Sequence, residues 1–185
     1  TALAQSSHNR KIAQMTMALA RFMRASFRWD THVSLDVEVL LVQEYLKIYR
    51  IRYENRLDAL IDYRAEDGGV LMPKMILQPL VENALTHGYD GTNALRRLSV
   101  TGRFEAGKLH LRVQDNGTGF TPEMLASLSR RIEEIQDDHS FASDASTHIG
   151  LINTCLRLHY YSKGAMRMSI RNEDGAVVEL TMPIN

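Results

Sequence analysis

The segment Asp115-Asn116-Gly117-Thr118-Gly119-Phe120 puts a carboxylate at the end of an alternating apolar stretch (Leu109, Leu111, Val113) and follows it with two glycines. Asp-Asn-Gly is first of all a turn signal, and a turn here would make a hairpin. A hairpin needs a returning strand, whereas the residues after Thr121 have helical spacing. A calcium loop needs glycine at its sixth position and a bidentate glutamate at its twelfth, and this chain has Phe120 and Ala126 there. The glycines fit neither a Walker loop nor a dinucleotide fingerprint. What remains is a hydrogen-bond-accepting carboxylate beside backbone that can come close to a flat ligand.

Two further segments carry chemical potential. In Thr147-His148-Ile149-Gly150-Leu151-Ile152-Asn153 a glycine stands where a polar stretch enters a helix. Backbone N–H groups and the positive end of the helix dipole are exposed there, which suits phosphate. In Pro73-Lys-Met-Ile-Leu-Gln-Pro-Leu-Val-Glu-Asn-Ala-Leu-Thr-His-Gly88, Pro79 is excluded from a helix interior, so the spacing predicts a helix from Pro79 to Gly88. At 100° per residue, Leu77, Leu80, Val81, Ala84 and Leu85 share one side, and Glu82, Asn83, Thr86 and His87 the other. Asn83 and His87 are stacked one turn apart. Taken alone, that polar stripe is equally an ordinary solvated face.

The elements around these segments follow from periodicity. Ile12, Met15, Leu19 and Phe22 form a coiled-coil-like seam on a first helix, which either packs on its own domain or forms a dimer. Ser34 reads as the N-cap of a second helix running to about Tyr53, with Asp36 and Glu38 at the positive end of its dipole. Leu57, Ala59 and Ile61 alternate as a strand, broken by Asp67-Gly68-Gly69; Leu98 to Val113 reads as a hairpin turning at residues 105–108. Thr121 caps a helix bearing Leu125, Leu128, Ile132 and Ile135 on one face. Residues 137–147 are polar and aperiodic, as a mobile loop would be, and a helix over 150–160 follows. Met166, Met168 and Ile170 lead through an Asp174-Gly175 turn into a last strand through Leu180. Single helices interleaved with antiparallel hairpins predict an α+β fold, a two-layer sandwich with helices on one face of a mixed, mostly antiparallel sheet, preceded by a helical segment.

Composition narrows the function. The 185 residues carry 22 Lys+Arg against 22 Asp+Glu, a net charge of zero, so no global field draws nucleic acid or anionic lipid. Arg50, Arg52 and Arg56 with Tyr49 and Tyr53 make one short basic-aromatic cluster, which a half-buried helix explains better. One cysteine, Cys155, excludes an internal disulfide and any multi-cysteine metal site, in keeping with a reducing compartment. No membrane-spanning stretch and no signal peptide is legible, and the start inside a helical pattern without Met suggests a fragment of a longer protein.

Together, in this order, the three segments resemble the boxes of the Bergerat-fold (GHKL) ATPases, and most closely those of sensor histidine kinases of the LytS/YesM type. Leu77-Gln78-Pro79-Leu80-Val81-Glu82-Asn83-Ala84 with His87-Gly88 resembles the asparagine box, and Asp115 to Phe120 the first glycine box. Ile149 to Asn153 with Arg157-Leu158 resembles the second, and Gly175-Ala176 with Met182-Pro183 the closing strands. The resemblance runs from Ser34 onward and implies residues 1–30 as the end of a helical dimerisation region and 31–185 as the ATP-binding catalytic domain.

That resemblance implies ATP and Mg2+ as ligands, with Asn83 as the magnesium ligand. It implies that Asp115 accepts from the adenine amino group, that Gly117 and Gly119 shape the adenine wall, and that Gly150 and Leu151 offer N–H groups to phosphate. His87 would be a phosphate donor and Glu82 would orient the metal or its waters, so that Glu82, Asn83 and His87 form the catalytic set; residues 137–149 would be the ATP lid. The implied activity is transfer of the ATP γ-phosphoryl group to a histidine, for relay to a response regulator receiver domain. The full-length protein would be a homodimer and this part the cytoplasmic portion of a membrane-bound sensor, itself touching neither membrane nor nucleic acid. The family's acceptor lies in a Pro-His-Phe-Leu-like motif, and none of the seven histidines, His8 included, has that context, so this chain alone is expected not to phosphorylate itself. Thr86 replaces a frequent cation, His148 a frequent glycine and Ala176 a frequent threonine. Those departures keep open a non-catalytic Mg-ATP-binding regulatory or scaffold module.

Overall fold

Alternation along the chain becomes a sheet with one wet and one dry face. In the structure, a computed structural model that describes residues 2–26, 31–53, 56–64, 66, 68–87, 95–137 and 149–184, five strands assemble in the order β2-β4-β5-β7-β6. These are β2 (Leu57–Tyr63), β4 (Arg96–Glu105), β5 (Lys108–Asp115), β6 (Arg167–Asn172) and β7 (Ala176–Pro183). β2 runs parallel to β4, and the other three pairings are antiparallel. Leu98 and Val100, Leu109, Leu111 and Val113, Val178, Leu180 and Met182, and Met168 and Ile170 are all buried on the same face, as a period of two requires. That face carries α2 (Leu35–Arg52), α3 (Leu77–His87), α4 (Pro122–Gln136) and α5 (Ile149–Tyr161), and their inward residues join the strand residues in one core. The expected α+β two-layer sandwich is the observed one, and the hairpin expected over Leu98 to Val113 extends over residues 96–115, in register from Leu98↔Asp115 to Glu105↔Lys108.

Helix ends depart from expectation in instructive ways. α3 begins at Leu77 rather than Pro79; proline within the first turn costs nothing because the N–H it lacks would have no intrahelical acceptor. Ser34 occupies the N-cap of α2 in extended conformation, but its side chain makes no capping bond. Instead the Leu35 and Asp36 N–H groups donate to the carbonyls of Val70 (2.9 Å) and Gly68 (3.0 Å). Thr121 does cap α4, accepting from the Met124 N–H at 3.3 Å. Two three-residue strands, β1 (His32–Ser34) and β3 (Leu71–Pro73), pair antiparallel beside the main sheet and were too short to leave a periodic signal. The last strand continues past Leu180 to Pro183.

The first helix, α1 (Ala2–Ser26), packs on α2 through Ala18 and through Phe22, whose ring lies 6.2 Å from that of Tyr45. Ile12 and Leu19 of the seam stay about half exposed, at 50% and 48%. Only the aromatic half of the basic-aromatic cluster packs inward: Tyr49 is buried and stacks on Tyr53 at 5.1 Å, while Arg50, Arg52 and Arg56 stay exposed. Among the described residues no helix is long and apolar enough to cross a membrane. Cys155 is fully buried in α5, where loss of solvation pushes its thiol up to about 12. Asp67, Gly88 and the aperiodic stretch 138–148 lie outside the described residues.

Glu38, expected as a negative charge in the first turn of α2, lies there but is 1% exposed and serves α3. Its Oε1 accepts the Met75 N–H at 2.5 Å, and its Oε2 accepts those of Ile76 and Leu77 at 2.8 and 2.9 Å. Arg157 of α5 supplies the nearby positive charge and donates to the carbonyls of Met75, at 3.1 Å, and Lys74. Replacing Glu38 with Ala would strand three buried donors, so Glu38→Ala should lose about 2–4 kcal/mol of stability, read as a fall of about 5–15 °C in melting midpoint. A midpoint within 2 °C of the parent, to take a rough threshold, would show that α3 starts without this cap.

Candidate functional site

Asp115 ends β5 with its side chain on the helix-covered face, in phase with Leu109, Leu111 and Val113. It is 4% exposed. Its Oδ1 accepts two backbone N–H groups, from Gly117 at 2.8 Å and Ala176 at 3.2 Å. Among the described residues its Oδ2 accepts none, leaving an unengaged acceptor on a largely buried carboxylate. Burial raises its pKa above the ordinary 3.8, and the two N–H groups pull partly the other way.

The backbone around Asp115 is fixed from three sides. Asn116 turns away, accepting the Arg97 N–H at 2.6 Å and donating to the Leu95 carbonyl at 3.2 Å, so it staples the start of β4. Gly175, at φ 134°, lies so close that a Cβ there would overlap the Asp115 carbonyl oxygen. Gly119, at φ 71°, has Asn172 over it: a Cβ would lie 2.6 Å from the Asn172 Oδ1. Gly117 spends its own N–H on Asp115, and so reaches a ligand only through its remaining surface.

α3 presents the second set. Glu82 is exposed and Asn83 half-buried, on the side away from Leu80, Val81, Ala84 and Leu85. The Asn83 amide makes no hydrogen bond among the described residues. Glu82 adds its charge to the burial that raises the Tyr45 phenol pKa, so it faces α2 as well as solvent. His87 is the last residue of α3, and its side chain is outside the described residues. α2 holds this end of α3 too: the Tyr49 hydroxyl is 3.3 Å from the Thr86 hydroxyl. Arg96 donates to the Leu85 carbonyl at 2.8 Å while its guanidinium sits 4.1 Å over the Tyr53 ring.

The third set is the start of α5. Gly150 is exposed in the first turn, where N–H groups have no intrahelical acceptor, and a Cβ on it would lie 3.7 Å from Pro79. Thus the second glycine segment is brought against the first turn of α3. Leu151 buries its side chain completely, leaving only backbone for a ligand. No hydrogen bond joins Asn83 to Asp115. His148 and most of the expected lid lie outside the described residues.

Sequence reasoning missed Glu38, Arg96, Arg157 and Asn172, all of which act on backbone. Of these Glu38 and Arg157 carried a signal, Glu38 as a charge at the start of α2 and Arg157 within the second glycine segment, and neither signal pointed to the contact observed. A cleft of about 280 Å3 at the same strand ends is lined by Asp58, Leu60, Arg97, Leu98, Ser99, Gln114, Asp115, Asn116 and Asp174. By strand alternation Asp58, Leu60, Arg97, Ser99 and Gln114 belong to the helix-free face, whereas Leu98 and Asp115 point to the helices, so this cleft opens on the helix-free face and reaches the strand end that carries Asp115. Among the described residues no three His, Cys, Asp or Glu side chains cluster as a metal site. A single amide oxygen on Asn83 therefore fits magnesium, a cation that keeps waters and substrate phosphates in its shell, better than an all-protein cage.

A family model described as "Histidine kinase-, DNA gyrase B-, and HSP90-like ATPase" matches residues 68–185, and one described as "Histidine kinase" matches residues 1–57. Among curated proteins the chain is similar to YwpD of Bacillus subtilis (strain 168), 27% identical over 174 residues, which cover 92% of this chain and 58% of that protein. It is also similar to the sensor protein kinase HptS of Staphylococcus aureus (strain USA300), 26% identical over 181 residues, covering 95% of this chain and 33% of that one. The chain thus spans little more than half of one curated relative and a third of the other. In fold it is similar to the catalytic domain of histidine kinase ThkA, with TM-score 0.56 and 16% identity over 83% of this chain and 95% of that one. A structure of ThkA in complex with response regulator protein TrrA gives TM-score 0.54 and 15% identity over 96% of this chain and 49% of that one. With the ATPase model matching well over half of its length, the chain belongs to the family of histidine kinase-, DNA gyrase B- and HSP90-like ATPases.

Proposed function

We propose that this chain is the ATP-binding catalytic domain of a two-component sensor histidine kinase of the LytS/YesM type. The observation that carries the reading is the Asp115 carboxylate: largely buried, pinned through one oxygen by the Gly117 and Ala176 N–H groups, and with the other oxygen unengaged among the described residues. An adenine amino group supplies the donor that such an acceptor lacks, whereas the guanine carbonyl at the same ring position would repel it. Gly117 and Gly119 form the wall against the base, and the first turn of α5 at Gly150 and Leu151 receives phosphate oxygens. Asn83 would hold Mg2+, which when bound would neutralise phosphate charge; His87 would donate to phosphate and Glu82 would orient the metal or its waters.

The domain then works mainly by position, holding the terminal phosphoryl group in line with an imidazole nitrogen of an acceptor histidine. The phosphohistidine passes its group to an aspartate of a receiver domain, a partner reading supported by the likeness to ThkA, whose solved complex contains a response regulator. We place the catalytic domain at residues 31–185, because Glu38 of α2 supplies the start of α3, and residues 1–30 in a helical dimerisation region of a homodimer. The cytoplasmic side of a membrane-bound sensor is the setting this reading requires.

Calorimetry with Mg-ATP tests the site. Asn83→Ala should abolish the dependence of ATP affinity on magnesium, and Asp115→Ala should weaken ATP by roughly 10- to 100-fold while reducing the preference for ATP over GTP. Variants that both bind like the parent would remove the assignment. Because burial raises the Asp115 pKa, ATP affinity carried by its ionised form is lost as pH falls through a value above the ordinary 3.8, a loss that Asp115→Asn should not show.

Phosphoryl transfer separates a kinase from a module that only binds Mg-ATP, a reading favoured by Thr86, whose hydroxyl meets Tyr49 where a phosphate-binding cation is frequent. The chain alone should bind ATP without labelling itself. A longer protein bearing the Pro-His-Phe-Leu-like helix should gain an acid-labile, base-stable phosphoryl label. Nucleotide binding by that longer protein with no label would favour the binding module.

A further inference from the structure

We infer that Asn172 is a positioning residue for the base end of the nucleotide site, an inference that rests on the ATP reading above. Asn172 ends β6 and pairs in register with Ala176, the residue whose N–H holds Asp115. Its amide lies flat against one residue of the glycine segment: Oδ1 accepts the Phe120 N–H at 2.8 Å and Nδ2 donates to the Phe120 carbonyl at 2.8 Å. One side chain therefore satisfies both backbone groups of Phe120, as a neighbouring strand would, and fixes the plane of the Gly119–Phe120 peptide.

The same amide explains why residue 119 is glycine. Sequence alone assigns that glycine to close approach of a ligand, but the space a Cβ would fill is taken by Asn172, 2.6 Å from its Oδ1. Gly119 is also at φ 71°, so the peptide it begins is twisted into a conformation that only a specific clamp keeps in one orientation. Among the described residues Asn172 makes no hydrogen bond to Asn83, Gly150 or Leu151; both of its side-chain bonds go to Phe120. Its effect on nucleotide binding runs through the wall beside Asp115.

The test uses Asn172→Ala, with Asn172→Asp as the second variant. Aspartate keeps the shape and the bond to the Phe120 N–H but gives the Phe120 carbonyl no donor and places a charge against it. Calorimetry with Mg-ATP should show a roughly three- to tenfold rise in Kd for Asn172→Ala, and at least as large a rise for Asn172→Asp despite its shape. Amide hydrogen exchange, followed by mass spectrometry, should quicken over Gly117–Phe120 and not along β5 and β7. An ATP Kd equal to the parent's in both variants would overturn the inference, as would exchange that quickens throughout the sheet in proportion to the lost affinity, the mark of a general structural role. If Asn172→Ala does not fold, Asn172→Asp alone decides between these results. A parent chain that binds no Mg-ATP would overturn the ATP reading and this inference together, whereas a parent that binds beside unaffected variants overturns this inference alone.

Discussion

A helix that carries ligand groups must begin at a defined residue, and here the first turn of α3 is set by one buried carboxylate from another helix. The N–H groups of Met75, Ile76 and Leu77 converge on Glu38 because the chain at Met75 turns through φ 62°, a conformation rare for a side chain of that size. Three charge-assisted hydrogen bonds hold that turn closed, and Arg157 brackets it from α5 through the carbonyls on either side of the same peptide. Loss of solvation outweighs these bonds for the carboxylate itself, and its pKa is raised. The gain is in geometry: α2, α3 and α5 are locked at one point, so Asn83 on α3 and Gly150 on α5 keep a fixed relation. Glu38 lies within residues 1–57 and α3 within 68–185, so the two matched regions meet in a single packed unit.

The opposite face of the sheet solves a different problem. With helices on one side only, the other must stay wet, and long charged side chains cover it. Arg112 pairs with Glu173 at 3.1 Å and Glu179 at 2.7 Å, and Arg171 pairs with the same two carboxylates at 3.1 and 2.7 Å. Under this lattice Val177 is fully buried although its side chain points away from the helices. Exposed pairs of this kind add little to stability one by one, and more to keeping the face from pairing with other apolar surfaces. The two faces respond to acid with opposite signs. Glu173 and Glu179 have pKa values lowered by their hydrogen bonds to Arg171, so what they contribute is present above the ordinary 4.5 and lost as pH falls through the lowered values. Glu38 and Asp115 have raised values, so their ionisation costs stability as pH rises through them, and acid relieves that cost.

What was legible in the sequence was whatever repeats with a period. The strands of the hairpin, the α4 cap at Thr121 and the inward stripe of α3 follow from spacings that the core enforces residue by residue. Asp115 was legible for a related reason: a strand that alternates apolar residues inward must also point its last residue inward, and a carboxylate there demands an explanation. β1 and β3 were not legible, since three residues hold too little of a period to stand out. Nor were the contacts of Glu38, Arg96 and Asn172. Each reaches backbone in a segment 11 to 52 residues away in the chain, and backbone acceptors and donors leave no trace in residue identity.

That blindness to backbone also bears on how the site is built. Most of what surrounds Asp115 is main chain: the N–H of Gly117, the N–H of Ala176, the peptide between Gly119 and Phe120. Main chain cannot hold itself in so irregular a path, because no ladder or helix pairs its groups. Two asparagine amides do this instead, Asn116 toward β4 and Asn172 toward Phe120, each engaging one donor and one acceptor at once. Asparagine suits the task because its flat amide carries both functions on a short stem with little rotamer freedom to lose. An acceptor at Asp115 becomes selective only when the wall beside it does not yield, since a wall that yields would let the competing base move away from the carboxylate and lower the cost of the mismatch. The selectivity of the carboxylate is therefore a property of the amides that hold the loop as much as of Asp115 itself.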